Sequence, residues 1–274
     1  MLAAWQPAPD LQTVLARVGD YVERYQGQLS VLVADEEYTQ RVTGRRPGAV
    51  DPRRRVDATG EPDERHLRSE FALVRVSDER RWLWLAFRDV LEVDGRPAAD
   101  HGDRLRRLFV EAPADALAQA RAIAGESARY NIGAVERTIN VPTLALEFLA
   151  GSFQERVRYR KRAEEVVGGQ PVWLIAFEER ARPTLIRRPN GGDIRARGLA
   201  WVEPATGHVL RTQLDPDMGG GEVSHISVSY ARDARLDLLV PVEMSERYDT
   251  SRGLITGRAV YTNFRQFVTS VRVR

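Results

Sequence analysis

From Phe153 to Val268 the chain falls into runs that mostly alternate apolar and polar side chains, and most runs end in a glycine turn. This pattern constrains the fold more than any other feature. Period two puts successive side chains on opposite faces of a strand. The predicted strands are Phe153–Val167, Val172–Arg187, Arg195–Val202, His208–Leu214, Glu222–Ala231, Leu238–Thr250 and Leu254–Val268. Gly168-Gly169, Asn190-Gly191-Gly192, Thr206-Gly207, Gly219-Gly220-Gly221 and Arg252-Gly253 link them with hairpin-turn chemistry. Leu238, Val240, Val242 and Met244 alternate with Leu239, Pro241, Glu243 and Ser245, and the first set is expected to face inward. Trp201 closes one strand and His208 opens the next; "EPATG" between them reads as a hairpin loop, with Pro204 fixing one φ and Gly207 supplying a positive one.

The first half is more mixed. Asp10 precedes a stripe of Leu11, Val14, Leu15, Val18, Val22 and Tyr25, which predicts a capped helix over 10–26. Leu29–Val42 and His66–Ser77 read as strands. Between them lies a loop over 43–65, rich in Arg, Pro, Gly and Asp and without periodicity, which reads as mobile. The stretch from Arg80 to Pro97 is a third strand ending in an Asp94-Gly95 turn. It is apolar on both faces from Trp82 to Phe87, so each face needs a cover. A helical insert follows over 101–150. Its last helix, Asn140–Ala150, has Asn140 as cap and Pro142 in its first turn, and is apolar on most sides, as a buried plug would be. The expected architecture is α+β: one domain over 1–274, a curved antiparallel half-barrel of about ten strands (153–269 with the strands at the front), wrapping a helical plug.

Composition removes several function classes. No cysteine is present, which excludes disulfides, thiolate metal sites and cysteine nucleophiles. The net charge is +2 with both signs interspersed, whereas a nucleic-acid binder concentrates basic charge on one face. Lys161 is the single lysine beside 40 arginines. No run approaches the roughly 18 to 20 apolar residues of a membrane span, and Met1–Asp10 lacks the pattern of a signal peptide.

"GLAWVEPATGHVLRTQL", the strand "HISVSYARDARLDLLVPVEMSERYD" and "RAVYTNFRQFVT" together resemble the carboxyl half of the periplasmic lipoprotein-carrier superfold, whose members include LolA, LolB and RseB. With "FRDVLEVDGRP" and "SARYNIGAVERTINVPTLALEFL" the pattern is similar to exported proteins of Acidobacteria and other soil bacteria. The resemblance implies an exported, periplasmic or secreted protein, a half-open barrel around helices, and an apolar cavity that takes acyl chains. It carries no catalytic motif, and the long 43–65 loop departs from the small carriers.

The candidate chemistry is sparse. His66, His101, His208 and His225 show no metal-ligand spacing. "DPDMGGGE", Asp215–Glu222, has Ile226 where a calcium loop places its bidentate glutamate. Asp35 and Glu37 share one strand face and Glu36 the other; a solvated outer face accounts for them better than glycosidase equipment. No nucleophile elbow, phosphate loop or dinucleotide fingerprint appears. Trp82, Trp84, Trp173, Trp201, Leu144, Phe148 and Met244 are the candidate lining of an apolar ligand site. No cofactor, metal or catalytic residue is expected. The predicted activity is non-enzymatic binding of an acyl chain or lipidated segment. One alternative is an interaction or sensor module that uses Arg53, Arg54 and Arg55 in the loop against an acidic partner or headgroups. The other is a hydrolase with a site built from scattered residues.

Overall fold

The computed structural model describes residues 9–28, 31–43, 63–78, 81–98, 130–133, 139–188, 191–251 and 253–266, with backbone alone at 27–28, 31, 63, 74–78, 81–85 and 87. Helix α1 spans Leu11–Gln28. Its cap is the predicted one: Asp10 Oδ1 accepts the Thr13 amide at 2.7 Å. The predicted stripe is buried at Val14, Leu15, Val18, Val22 and Tyr25, joined by Tyr21.

Thirteen strands follow: β1 Val31–Thr43, β2 Asp63–Asp78, β3 Arg81–Val93, β4 Arg96–Pro97, β5 Val157–Val167, β6 Gln170–Glu179, β7 Ile186–Arg187, β8 Asp193–Ile194, β9 Ala196–Val202, β10 Val209–Pro216, β11 Val223–Asp233, β12 Leu238–Thr250 and β13 Gly253–Gln266. Eleven form one open antiparallel sheet in the order β4-β3-β2-β1-β13-β12-β11-β10-β9-β6-β5, and β7 with β8 makes a small side hairpin. Two meanders thus run inward from opposite edges, and the first long strand pairs with the last, Tyr38 opposite Ala259. One face of this curved half-barrel carries α1 and the plug; the other carries cross-strand ion pairs such as Arg258–Glu243 at 2.7 Å and Arg265 with Asp35 and Glu70. The glycine turns are where alternation ends, with positive φ at Gly168, Gly169, Gly207 and Gly219–Gly221.

Four expectations need correction. Val172–Arg187 is not one strand. Its ladder ends at Glu179, whose Oε1 takes the Leu185 amide at 2.7 Å, and Thr184 with Asp193 holds the following loop. Phe153–Val167 begins as a 3-10 turn over Gly151–Arg156, because the Gln154 amide bridges the carbonyls of Leu15 in α1 and Leu149 in the plug. The plug itself holds only a single α turn, α2, Leu144–Glu147, with turns on either side. Asn140 does not cap it, and Thr143, at the capping position, makes no side-chain cap bond. The plug is nonetheless buried, as expected, at Ala145, Leu146, Phe148, Leu149 and Ala150. Finally, a bulge opposite Ser229 shifts the parity of β12. Pro241 therefore stands opposite Tyr230 and is buried, while Val242 is half-buried. The 44–62 part of the Arg-rich loop, with Arg53, Arg54 and Arg55, and the insert over 101–129, with His101, lie outside the described residues.

Candidate ligand site

The inner face of the sheet divides into two regions. On β6, β9, β10 and β11 it is apolar. Ile175, Phe177, Ala200, Val202, Leu214 and Ile226 are all buried there under α1 and the plug. The plug is keyed in by Phe148, whose ring stacks on Phe177 with centroids 5.4 Å apart. Gly198, directly opposite Phe177, leaves the space that ring occupies. Tyr159 Oη donates to the Phe148 carbonyl at 2.5 Å and ties the plug to the edge strand β5. Trp173 lies on the same face toward that edge, with the Lys161 ammonium 3.5 Å from its ring centroid.

On β3, β2, β1, β13 and β12 the inner face is polar yet buried. Arg88 and Glu36 form a two-pronged ion pair, Arg88 Nη2 to Glu36 Oε1 at 2.7 Å and Nε to Oε2, with Arg88 stacked 4.7 Å over the Tyr38 ring. Burial alone would push the Arg88 guanidinium down; the Glu36 charge and hydrogen bonds more than offset this and hold it protonated. Glu246 accepts hydrogen bonds from Tyr38 and, at 2.9 Å, from Tyr248. Gly257 opposite it makes room, since a Cβ there would meet the Glu246 carboxylate at 2.5 Å.

The sequence candidates are distributed unevenly over these regions. Trp173, Phe148 and Leu144 belong to the apolar region, Leu144 only partly buried. Met244 is buried near its border, within 3.9 Å of Tyr261 Oη. Trp201 is on the opposite face: its indole N–H donates to Glu165 at 2.8 Å and Arg211 covers the ring at 4.9 Å. Trp82 and Trp84 stand opposite Ser77 and Arg75 in the β2–β3 hairpin, and their side chains lie outside the described residues. The Glu36–Arg88 pair was not singled out from sequence. Its signal is a glutamate on the apolar parity of β1, in the series Leu32, Ala34, Glu36, Tyr38.

The hydrolase alternative finds a weak constellation on the outer face. His66 Nδ1 is 3.2 Å from Thr39 Oγ1 and its Nε2 is 3.0 Å from Glu64, beside a groove of about 170 Å³. The imidazole is well exposed, and Arg41, hydrogen-bonded to Glu64, holds that carboxyl below its usual range. This is a solvated cross-strand pair, with Thr39 directly opposite His66. His225 and Asp215, 2.8 Å apart, and His208 and Glu203, 3.4 Å apart, are likewise single pairs near the ends of hairpins. Among the described residues no three His, Asp or Glu gather as metal ligands.

No family model and no curated protein matches the chain. Solved structures of similar fold include three at low identity. The first is an outer membrane lipoprotein-sorting protein domain from Vibrio parahaemolyticus: 10% identity, 93% of this chain and 95% of that one, TM-score 0.40. The second is a DUF1329 family protein from Desulfovibrio piger: 12% identity, 94% and 95%, TM-score 0.38. The third is MucB in complex with MucA(peri): 12% identity, 94% and 100%, TM-score 0.24. At such identities these are likenesses of shape alone. The lipoprotein-sorting name among them is that of the superfold the sequence resembles.

Proposed function

We propose that this chain is a non-enzymatic binding protein of the bacterial envelope. Its hydrophobic ligand, an acyl chain or a lipidated segment, lies between the apolar region of the inner face and the plug. The observation that carries this reading is the segregation of the inner face: a strip of buried aromatic and aliphatic side chains ends at Trp173 and Tyr159 on the open edge of the sheet, under a plug with only one helical turn. Apolar burial there contributes about 25 cal/mol per Å² to whatever occupies it. The sequence resemblance supports both the class of ligand and the envelope location.

The two tryptophans make the test specific. Protein purified without detergent is extracted with organic solvent and the extract examined by mass spectrometry, for the parent, Trp173→Glu and Trp201→Glu. Each variant removes one largely buried indole, but only Trp173 is on the inner face. The expected result is a stoichiometric lipid in the parent and in Trp201→Glu, lost in Trp173→Glu. Parent protein that carries no lipid, and takes up none from vesicles, would sink the reading. One observation favours a second reading, an interaction module: Phe148, Ile175 and Met244 are fully packed, as in a closed core. An empty parent would favour that module.

A further inference from the structure

Three buried side chains around the front of the plug keep a polar atom with no hydrogen-bond partner: Tyr25 Oη on α1, Asn140 Nδ2 and Thr143 Oγ1. All three residues are at least nine-tenths buried. They are neighbours. Gln26, next to Tyr25, bonds Glu147 of α2 at 2.9 Å, and Tyr230 Oη reaches the carbonyl of Pro142, between Asn140 and Thr143, at 2.6 Å. A buried polar group left unpaired costs free energy, and folded proteins keep few of them. The rear of the plug is different. Phe148 and Leu149 are fully buried, their carbonyls accept from Tyr159 and Gln154, and Phe148 stacks on Phe177. The front half therefore carries the unpaired groups and the rear half the anchors.

We infer that the front of the plug, residues 139–147, is a lid that swings out about its anchored rear at Phe148–Ala150, with the Tyr230–Pro142 hydrogen bond as its latch. Opening lets Tyr25, Asn140 and Thr143 find partners, so their cost in the closed state drives the lid outward, while Leu146 and the latch hold it in. The closed core and a ligand-binding role are then two states of one molecule. That a hydrophobic ligand is what uses the opening rests on the function proposed above; the lid does not.

Hydrogen exchange tests it without any ligand. The Leu144 and Leu146 amides, bonded to the carbonyls of Val141 and Thr143, report on the lid, and the Ile175 and Leu214 amides report on the sheet. Thr143→Val keeps the shape and removes an unpaired hydroxyl; Tyr230→Phe removes the latch. The expected result is lid exchange about tenfold slower in Thr143→Val and about tenfold faster in Tyr230→Phe, with the sheet amides unchanged. Lid amides unmoved by Thr143→Val, or exchanging faster, overturn the inference. So does a change of equal size in lid and sheet, which would mean that the plug opens only when the whole molecule unfolds. A lid that passes this test in a protein that binds no lipid would leave the lid standing and remove the proposed ligand.

Discussion

At Gly198 a single missing methyl group sets the position of the plug. A Cβ there would sit 2.1 Å from the Gln213 carbonyl oxygen and 2.3 Å from the Phe177 ring, so Gly198→Ala forces apart the stack on which Phe148 rests. Overpacking of this kind costs about 1–3 kcal/mol, to be read from the urea midpoint of the variant. The Glu36–Arg88 pair is more demanding. Glu36→Gln leaves a buried guanidinium without its counter-charge, and about 3–5 kcal/mol of stability should go with it. Replacing both partners, as Glu36→Leu with Arg88→Met, should recover most of that loss; a double variant as unstable as the single one would show that the pair itself is needed. Glu179 gives a pH signature of the opposite sense to an ordinary surface carboxylate. Burial pushes its carboxyl up from the usual value near 4.5, against the pull of the Leu185 amide, and its Oε2 has no partner. A raised folded value means that its contribution is whole below the unfolded value and is lost as pH rises through the folded one. Urea midpoints taken from about pH 4 to about pH 8 should therefore show Glu179→Gln gaining on the parent as pH rises.

Elements are held to one another by contacts that the sequence only partly shows. The "EPATG" loop is a hairpin, as its turn residues state, but it is also a clamp. The Pro204 carbonyl accepts from Arg17 at 2.6 Å, His208 packs edge-on to Tyr21, and a Cβ on Gly207, at φ +78, would meet the α1 backbone at 2.4 Å. Gly207→Ala should loosen α1, raising exchange of its amides and costing about 1–3 kcal/mol. The cap at Asp10, the glycine turns and most strands were legible because each rests on local chemistry. The face of a tryptophan was not. Trp173 sits in "VWLIAF" and Trp201 in "GLAWV", runs that are apolar on both parities, so only the pairing of Leu174 with Trp201 fixes which indole points inward. The plug was legible as buried and misjudged as a full helix, since the tertiary bonds from Tyr230, Tyr159 and Gln154 take carbonyls that a longer helix would have used.

Across the whole molecule, the sheet is continuous only because β13 fills the gap between β1 and β12. A chain ending before Gly253 would expose two long inner edges, and size-exclusion chromatography should find it as oligomers or aggregate rather than monomer. The β1–β13 pairing joins residues more than two hundred apart in sequence, so folding should be slow for a domain of this size, in stopped-flow as in refolding yield. The direction of that seam has a mechanical consequence. Leu32 lies opposite Gln266, and Thr43 opposite Leu254, so the chain enters β1 and leaves β13 at the same end of the sheet. A load applied there would open the ladder one rung at a time, like a zip, instead of shearing every rung at once. The longest-range contact in the protein is thus also the one that would yield first to a pull.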